Sequence, residues 1–335
     1  MAATVTEIQQ ILPRIKNELI FRKNVVAVGI GYKRTSGKKT DELCIICSVD
    51  KKVSKEKLAA NEMVPQSFDS VATDVIATGP FYALQDPKGK FRPAPGGVSI
   101  GHQLVTAGTL GCLVTKEDKN YRYILSNNHV LANSNDASIG DPILQPGTYD
   151  GGSFPDDQIG ILSNFIPIEF DQTESSCGIA NNIAAFLNMF ARLFGSTTRV
   201  EAVTPKLANN LVDCAIAEPL DQNDVQNMIL NIGNITGVAE AGLDTPVKKM
   251  GRTSGFTTGV IEQIDVTSRV SYGTDKIATF VDQIMAGLMS QGGDSGSAVL
   301  NDENKLVGLL FAGSNTTTLI NRIQNVFNQL QVTLP

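Results

Sequence analysis

Gln291-Gly292-Gly293-Asp294-Ser295-Gly296-Ser297 runs directly into an apolar strand pattern, Ala298-Val299-Leu300. Glycines around Ser295 let the backbone bend so that its amides can point into a site. A serine hydroxyl placed there can attack a carbonyl carbon while nearby amides stabilise the oxyanion. The same residues also suit an ordinary surface turn. The catalytic reading therefore requires three further things from the chain: a base, an acid to orient it, and strands to hold all three.

Working outward, the pattern from Thr109 onward is all-β. Leu110 to Thr115 reads as a strand, Glu117-Asp118-Lys119-Asn120 as a hairpin turn, and Tyr121 to Leu125 as the next strand. That strand delivers Ser126-Asn127-Asn128-His129-Val130-Leu131. A histidine at a strand end is well placed as a general base, because imidazole takes and returns a proton near neutral pH. A hydrogen-bonded structural histidine is the plainer alternative. Further strands are expected around 142–144 and 159–162. Then comes Leu211-Val212-Asp213-Cys214-Ala215-Ile216-Ala217. An aspartate in an apolar strand is costly to bury without a partner, and a histidine N–H would supply one. An aspartate capping a turn at the strand edge is the rival reading.

His129, Asp213 and Ser295 occur in the chain order His, Asp, Ser, in the contexts Leu-Ser-Asn-Asn-His-Val, Val-Asp-Cys-Ala-Ile-Ala and Gly-Gly-Asp-Ser-Gly-Ser. This order and these contexts resemble the chymotrypsin/trypsin-like serine proteases, in particular bacterial and intracellular branches such as the HtrA-type and α-lytic-type enzymes. Gly251 to Gly259 (Gly-Arg-Thr-Ser-Gly-Phe-Thr-Thr-Gly) also resembles a second-barrel segment of bacterial members. The resemblance covers roughly residues 98–333. It implies two six-stranded β-barrels with the triad in the cleft between them. It further implies Ser295 as nucleophile, His129 as base and then acid, Asp213 as the group that fixes the imidazole, and the amides of Gly293 and Ser295 as the oxyanion hole.

The departures from that family carry information too. An insertion, about residues 165–207, separates His129 from Asp213. No PDZ-like domain follows the barrels, and the disulfides of secreted members are absent. Met289 occupies the position expected at the floor of the primary substrate pocket, with Phe311, Ala312 and Gly313 on the strand that lines it. With no acid there, a small or medium apolar P1 residue is expected rather than Lys or Arg. Asp294 should pair with a basic side chain, Lys249 or Arg252, without obligatory cleavage at Gly97-Val98. Self-cleavage within the Pro/Gly-rich stretch around it is left open.

Ahead of the barrels, residues 6–20 carry Ile8, Ile11, Leu12, Ile15 and Leu19 at helical spacing, with Thr6 and Gln9 as a capping box. Pro13 should kink this helix or mark its first turn. Strands are expected at 24–32, 43–49 and 71–76. Gly29-Ile30-Gly31 lacks the third glycine of a dinucleotide fingerprint, because Arg34 stands in its place. The fold class is therefore mainly β. Residues 1–90 form an α/β accessory domain and 91–97 a Pro/Gly linker. Residues 98–220 form the first barrel with its helical insertion, and 221–335 the second barrel with a C-terminal helix over residues 319–330.

Composition fits this reading. The 335 residues are 42% hydrophobic and 19% charged, as in ordinary globular domains. A net charge of −6 argues against a nucleic-acid partner, and the lysines at 51–57 read as a solvated surface. Five cysteines (Cys44, Cys47, Cys112, Cys177, Cys214) and two histidines offer no zinc pattern. No metal or cofactor is expected. The start shows no signal-peptide pattern and no stretch reads as a membrane span, so a cytoplasmic setting is expected. Gly178 to Phe194 reads as a helix apolar over more than one face. It is either packed on the first barrel or serves as a subunit contact in a homo-oligomer or as a lid. The function expected is a serine endopeptidase acting on protein or peptide substrates, controlled by assembly, a partner or an effector. The alternatives are a non-proteolytic binding module on a protease fold and an esterase using the same triad.

Overall fold

In the computed structural model, which describes residues 3–35, 37–81, 85–116, 121–205, 207–273 and 276–335, Thr4 opens the first helix, α1 (Val5–Ile20). Thr4 Oγ1 accepts the Glu7 N–H at 3.3 Å, and Glu7 Oε2 accepts the Thr4 N–H at 2.7 Å. The capping box thus lies two residues before Thr6 and Gln9, where a carboxylate at the third helical position also meets the positive end of the helix dipole. Pro13 sits inside α1 without ending it. Ile8, Ile11 and Leu19 on one face pack with Ile45, Cys47 and Val71.

Those partners come from a sheet of β1 (Val25–Thr35), β2 (Lys38–Val49), β3 (Ser67–Phe68) and β4 (Val71–Ala77), in the order β1-β2-β4-β3. β1 and β2 are an antiparallel hairpin whose turn includes Gly37 at φ +79°; Ser36 lies outside the described residues. β4 pairs with β2 in parallel, which requires a crossover, supplied here by residues 50–66. The chain divides into two compact units, Met1–Leu84 and Gln85–Pro335.

Residues 91–97, expected as a linker, lie inside the larger unit. Ala94–Gly96 is a buried strand, β5, and the Phe91 N–H is held by Gln145 Oε1 at 2.8 Å. Proline and glycine there serve close packing, since a Cβ on Gly96 would meet the Gly111 carbonyl oxygen at 2.3 Å. The Gly97-Val98 bond is correspondingly enclosed, with Val98 fully buried.

The first barrel contains β6 (Ser99–His102), β7 (Gly108–Thr109), β8 (Cys112–Thr115), β9 (Arg122–Ser126), β10 (Pro142–Leu144) and β11 (Gln158–Phe165); α2 (Asn128–Leu131) follows β9. After β11 the chain makes an excursion: a ribbon of β12 (Gln172–Glu174) and β13 (Val203–Pro205) carries α3 (Gly178–Leu193) between its arms. It returns as β14 (Ala215–Pro219), giving the order β7-β6-β10-β11-β14-β9-β8. β7 and β8 are one interrupted strand. The Leu110 N–H donates to Val98 O at 2.8 Å and the Gly111 N–H to Leu125 O at 2.9 Å, so the sheet closes on itself with six members. Cys112 and Cys214 fill its core; burial pushes the Cys112 thiol up to about 12, so it stays protonated. The expected turn at 117–120 lies outside the described residues.

β15 (Val225–Ile229) pairs with β5 and leads through the short β16 (Gly237–Val238) into the second barrel. Its strands are β17 (Pro246–Gly251), β18 (Gly255–Ser271), β19 (Ile277–Gly287), β20 (Ala298–Asn301), β21 (Lys305–Gly313) and β22 (Thr317–Arg322). The order β21-β20-β17-β18-β19-β22, with β22 also paired to β21, is a closed six-membered ring to which β16 adds an edge. The final helix, α4, spans only Ile323–Leu330. Leu319 and Ile320, expected at its start, belong to β22. Their threonine-rich approach (Thr316-Thr317-Thr318) favours strand, and pairing on both sides closes the barrel. Among the described residues no helix is long and apolar enough to cross a membrane.

Candidate active site

β9 ends at Ser126, and the single turn of α2 lifts His129 to the edge of the first barrel. Asp213 stands two residues before β14 rather than within a strand. It is fully buried. His129 Nδ1 donates to Asp213 Oδ2 at 2.5 Å, and the His129 backbone N–H reaches Oδ1 at 3.3 Å. With Nδ1 carrying the proton, the opposite ring nitrogen, Nε2, is left as an acceptor.

The aspartate is held on every side. Its N–H donates to Asn321 Oδ1 at 2.9 Å, and its carbonyl accepts from Asn127 Nδ2 at 2.7 Å. The Tyr272 hydroxyl donates to Oδ2 at 2.8 Å. Burial and then the neighbouring Asp213 charge keep the Tyr272 phenol protonated far above its usual range, so it remains a donor. Its ring also meets the His129 ring edge-on, with centroids 5.7 Å apart. Nothing in the sequence singled out Tyr272, because it lies at the far end of a long hairpin, 59 positions from Asp213.

Ser295 lies on the loop between β19 and β20, in the second barrel. Its Oγ donates to Phe311 O at 3.4 Å, and no hydrogen bond joins it to His129 among the described residues. Both side chains nevertheless line one cavity of about 630 Å³, with Tyr272, Phe311, Ala312 and Gly313. Ser295 also lines an adjoining cavity of about 450 Å³, with Ser290, Gln291, Ala312, Gly313 and Ser314. Met289, expected at a pocket floor, lines neither. It is buried in the second-barrel core beside Val247, Ile261 and Ile284, with its sulfur against Gly259. Ser290, one residue on, faces the cavity instead, its Oγ 2.8 Å from Thr318 Oγ1.

The loop backbone is fixed by a set of polar contacts. The amides of Gln291, Asp294, Gly296 and Ser297 are all hydrogen-bonded. Those of Gly293 and Ser295 have no acceptor among the described residues. Gly293 adopts φ +95°, and a Cβ there would meet Thr253 Oγ1 at 2.4 Å. Thr253 Oγ1 donates to Gly292 O at 2.7 Å. A planar trans peptide points its C=O and the next N–H to opposite sides. Holding the Gly292 carbonyl therefore fixes the direction of the Gly293 N–H.

Thr253 is itself positioned by a buried ion pair. Arg252 Nη1 donates to Thr253 Oγ1 at 3.0 Å, and Arg252 Nε donates to Asp150 Oδ2 at 2.6 Å. The hydrogen bond to Asp150 raises the Arg252 pKa above the ordinary guanidinium range. Arg252 is thus engaged with Asp150. Asp294 takes the other expected partner, with Lys249 Nζ 3.1 Å from Oδ2 and both side chains fully buried. Asp294 also accepts from the amides of Thr253, Ser254 and Gln291 and from Ser254 Oγ. Burial alone would raise its pKa, but the Lys249 charge and these donors outweigh burial and hold it below the usual carboxylate range. The barrels are joined at the same place: the Thr109 N–H donates to Ser295 O at 2.7 Å and Thr109 Oγ1 to Gly293 O at 2.9 Å.

The other histidine is structural. His102 is buried, accepts the Leu104 N–H at Nδ1, and sits with Nε2 3.1 Å from Asp141. Among the described residues no cluster of three or more metal-binding side chains is present.

The larger unit is a chymotrypsin-like double β-barrel. Bacterial serine proteases are similar to it in structure. Nocardiopsis protease is 16% identical, with 72% of this chain and 97% of that chain covered and a TM-score of 0.45. Thermobifida fusca protease A is 15% identical over 72% and 97%, with a TM-score of 0.46. A glutamic-acid-specific serine protease is 19% identical over 72% and 99%, with a TM-score of 0.43. No family model and no curated protein sequence matches the chain.

Proposed function

We propose that the larger unit is a serine endopeptidase that works through an acyl-enzyme on Ser295. The observation that carries this reading is the short His129 Nδ1–Asp213 contact beside a serine whose own amide and that of Gly293 have no acceptor among the described residues. The Ser295 hydroxyl turns from Phe311 O to His129 Nε2 as a substrate enters. Loose contacts of this kind are common before substrate binds. Oγ then attacks the scissile carbonyl as its proton passes to Nε2. The Gly293 and Ser295 amides receive the oxyanion, an arrangement in which one donor contributes roughly 10²–10³ in rate. His129 returns the proton to the leaving amine, and water repeats the sequence to release the acid.

Substrate side chains enter the 450 Å³ cavity, which no charged side chain lines among the described residues. An uncharged P1 side chain is the expected preference. A peptide library digested by the wild-type chain and by Ser295→Ala tests both points. Cleavage by the wild type alone, at uncharged P1 residues, supports the reading. Equal cleavage by both, or cleavage only after Lys or Arg, contradicts it.

A further inference from the structure

The smaller unit holds a cavity of about 500 Å³, a size typical of small-molecule sites. It lies where the crossover 50–66 passes over the sheet. Val25, Val49, Val53, Leu58, Val64 and Val75 give it an apolar lining. Arg22 anchors the crossover by donating to the carbonyls of Asn61 and Met63 while pairing with Glu18. The Asn24 side chain ties down Lys51 through both backbone groups. The cavity is thus preformed at both ends of the segment that covers it.

Four lysines, Lys23, Lys51, Lys52 and Lys55, also line the cavity and are exposed. Lys23 pairs with Glu62 at 3.0 Å. Among the described residues, Lys51, Lys52 and Lys55 form no salt bridge. Like charges gathered at the mouth of an apolar cavity repel one another and favour an anion there. In a chain of net charge −6, this local positive field also selects where an anion approaches. An apolar interior with a cationic mouth matches a molecule with a hydrocarbon body and one acidic head.

We propose that the smaller unit binds one long-chain carboxylate, with its tail among the valines and its head at Lys51, Lys52 and Lys55. The site is separate from the proposed hydrolase chemistry and stands or falls independently of it. Isothermal titration of the full chain with dodecanoate below its micellar concentration tests it, with dodecan-1-ol and acetate alongside. Saturable one-to-one dodecanoate binding is expected, with the alcohol at least tenfold weaker and no detectable binding of acetate. Lys52→Glu/Lys55→Glu should weaken dodecanoate at least tenfold with an unchanged melting temperature. Absence of saturable dodecanoate binding, or equal affinity for the alcohol, would overturn the proposal. So would undiminished binding by the double variant, which would put the ligand elsewhere, for example on the exposed side of α3.

Discussion

The Tyr272 hydroxyl and the His129 imidazole meet on one oxygen, Asp213 Oδ2, at 2.8 and 2.5 Å. The tyrosine comes from the second barrel and the other two residues from the first. The contact therefore sets the aspartate relative to both halves of the cleft. Tyr272→Phe removes one hydrogen bond to a buried carboxylate, about 1.5–3 kcal/mol for a charged acceptor. If half of that appears in the transition state, kcat falls by roughly three- to tenfold. KM should be unchanged, because the hydroxyl is engaged with Asp213 Oδ2. A steady-state comparison checks this; a change confined to KM contradicts the positioning role.

Thr253 controls the Gly293 amide at one remove, through the Gly292 carbonyl. Thr253→Val keeps the shape and removes the hydroxyl, freeing the peptide to rotate. A loss of up to about 10² in kcat is expected, the order of one oxyanion donor, and Thr253→Ser should restore it. If valine and serine variants behave alike, the hydroxyl does not set the amide.

Lys249 and Asp294 form a buried pair, and breaking such a pair leaves an uncompensated charge costing about 3–5 kcal/mol. Lys249→Met should lower stability to urea by that order. The pH dependence has a definite sign. The Asp294 pKa is depressed in the folded state, so its contribution is present above the ordinary carboxylate value and is lost as pH falls through the folded value. Urea midpoints should hold from neutral pH down to about 5 and fall below about 4. Asp294→Asn should flatten that acid limb; an unchanged limb would assign it to other carboxylates.

Two asparagines of the helix α3 are engaged by the chain segments that flank it. Asn181 donates to Ser175 O at 2.7 Å and Asn188 to Val200 O at 2.8 Å, while Ile179, Phe186, Leu193 and Phe194 are more than half exposed. Packing on the first barrel does not account for such a face, which leaves a subunit contact or a lid. We expect it to contact a second copy. Sedimentation velocity should show self-association that Phe186→Asp/Phe190→Asp abolishes. A monomeric wild type at tens of micromolar contradicts the subunit contact.

Much of the barrel unit was legible because its signals are local. The Gly292-to-Ser297 turn, the strand before His129 and the apolar run after Asp213 each declare themselves over a few residues. What was illegible depends on partners distant in sequence. Asp294 had two basic candidates in one segment, and only the fold shows that Asp150 takes Arg252 and leaves Lys249. Met289 looked like a pocket residue by position, yet the strand end turns it into the barrel core and presents Ser290. Residues 91–97 resembled a linker because proline and glycine serve tight packing as well as flexibility. In the last strand, Leu319 and Ile320 fit a helical stripe, but barrel closure decided their conformation.

The central claim is that Ser295 is a nucleophile activated by His129. A fluorophosphonate probe, followed by mass spectrometry of the labelled peptide, tests it most directly. The account predicts one adduct per chain, on Ser295, absent in Ser295→Ala and strongly slowed in His129→Ala. A folded wild-type protein that takes no label, or takes it on another residue, would contradict the account.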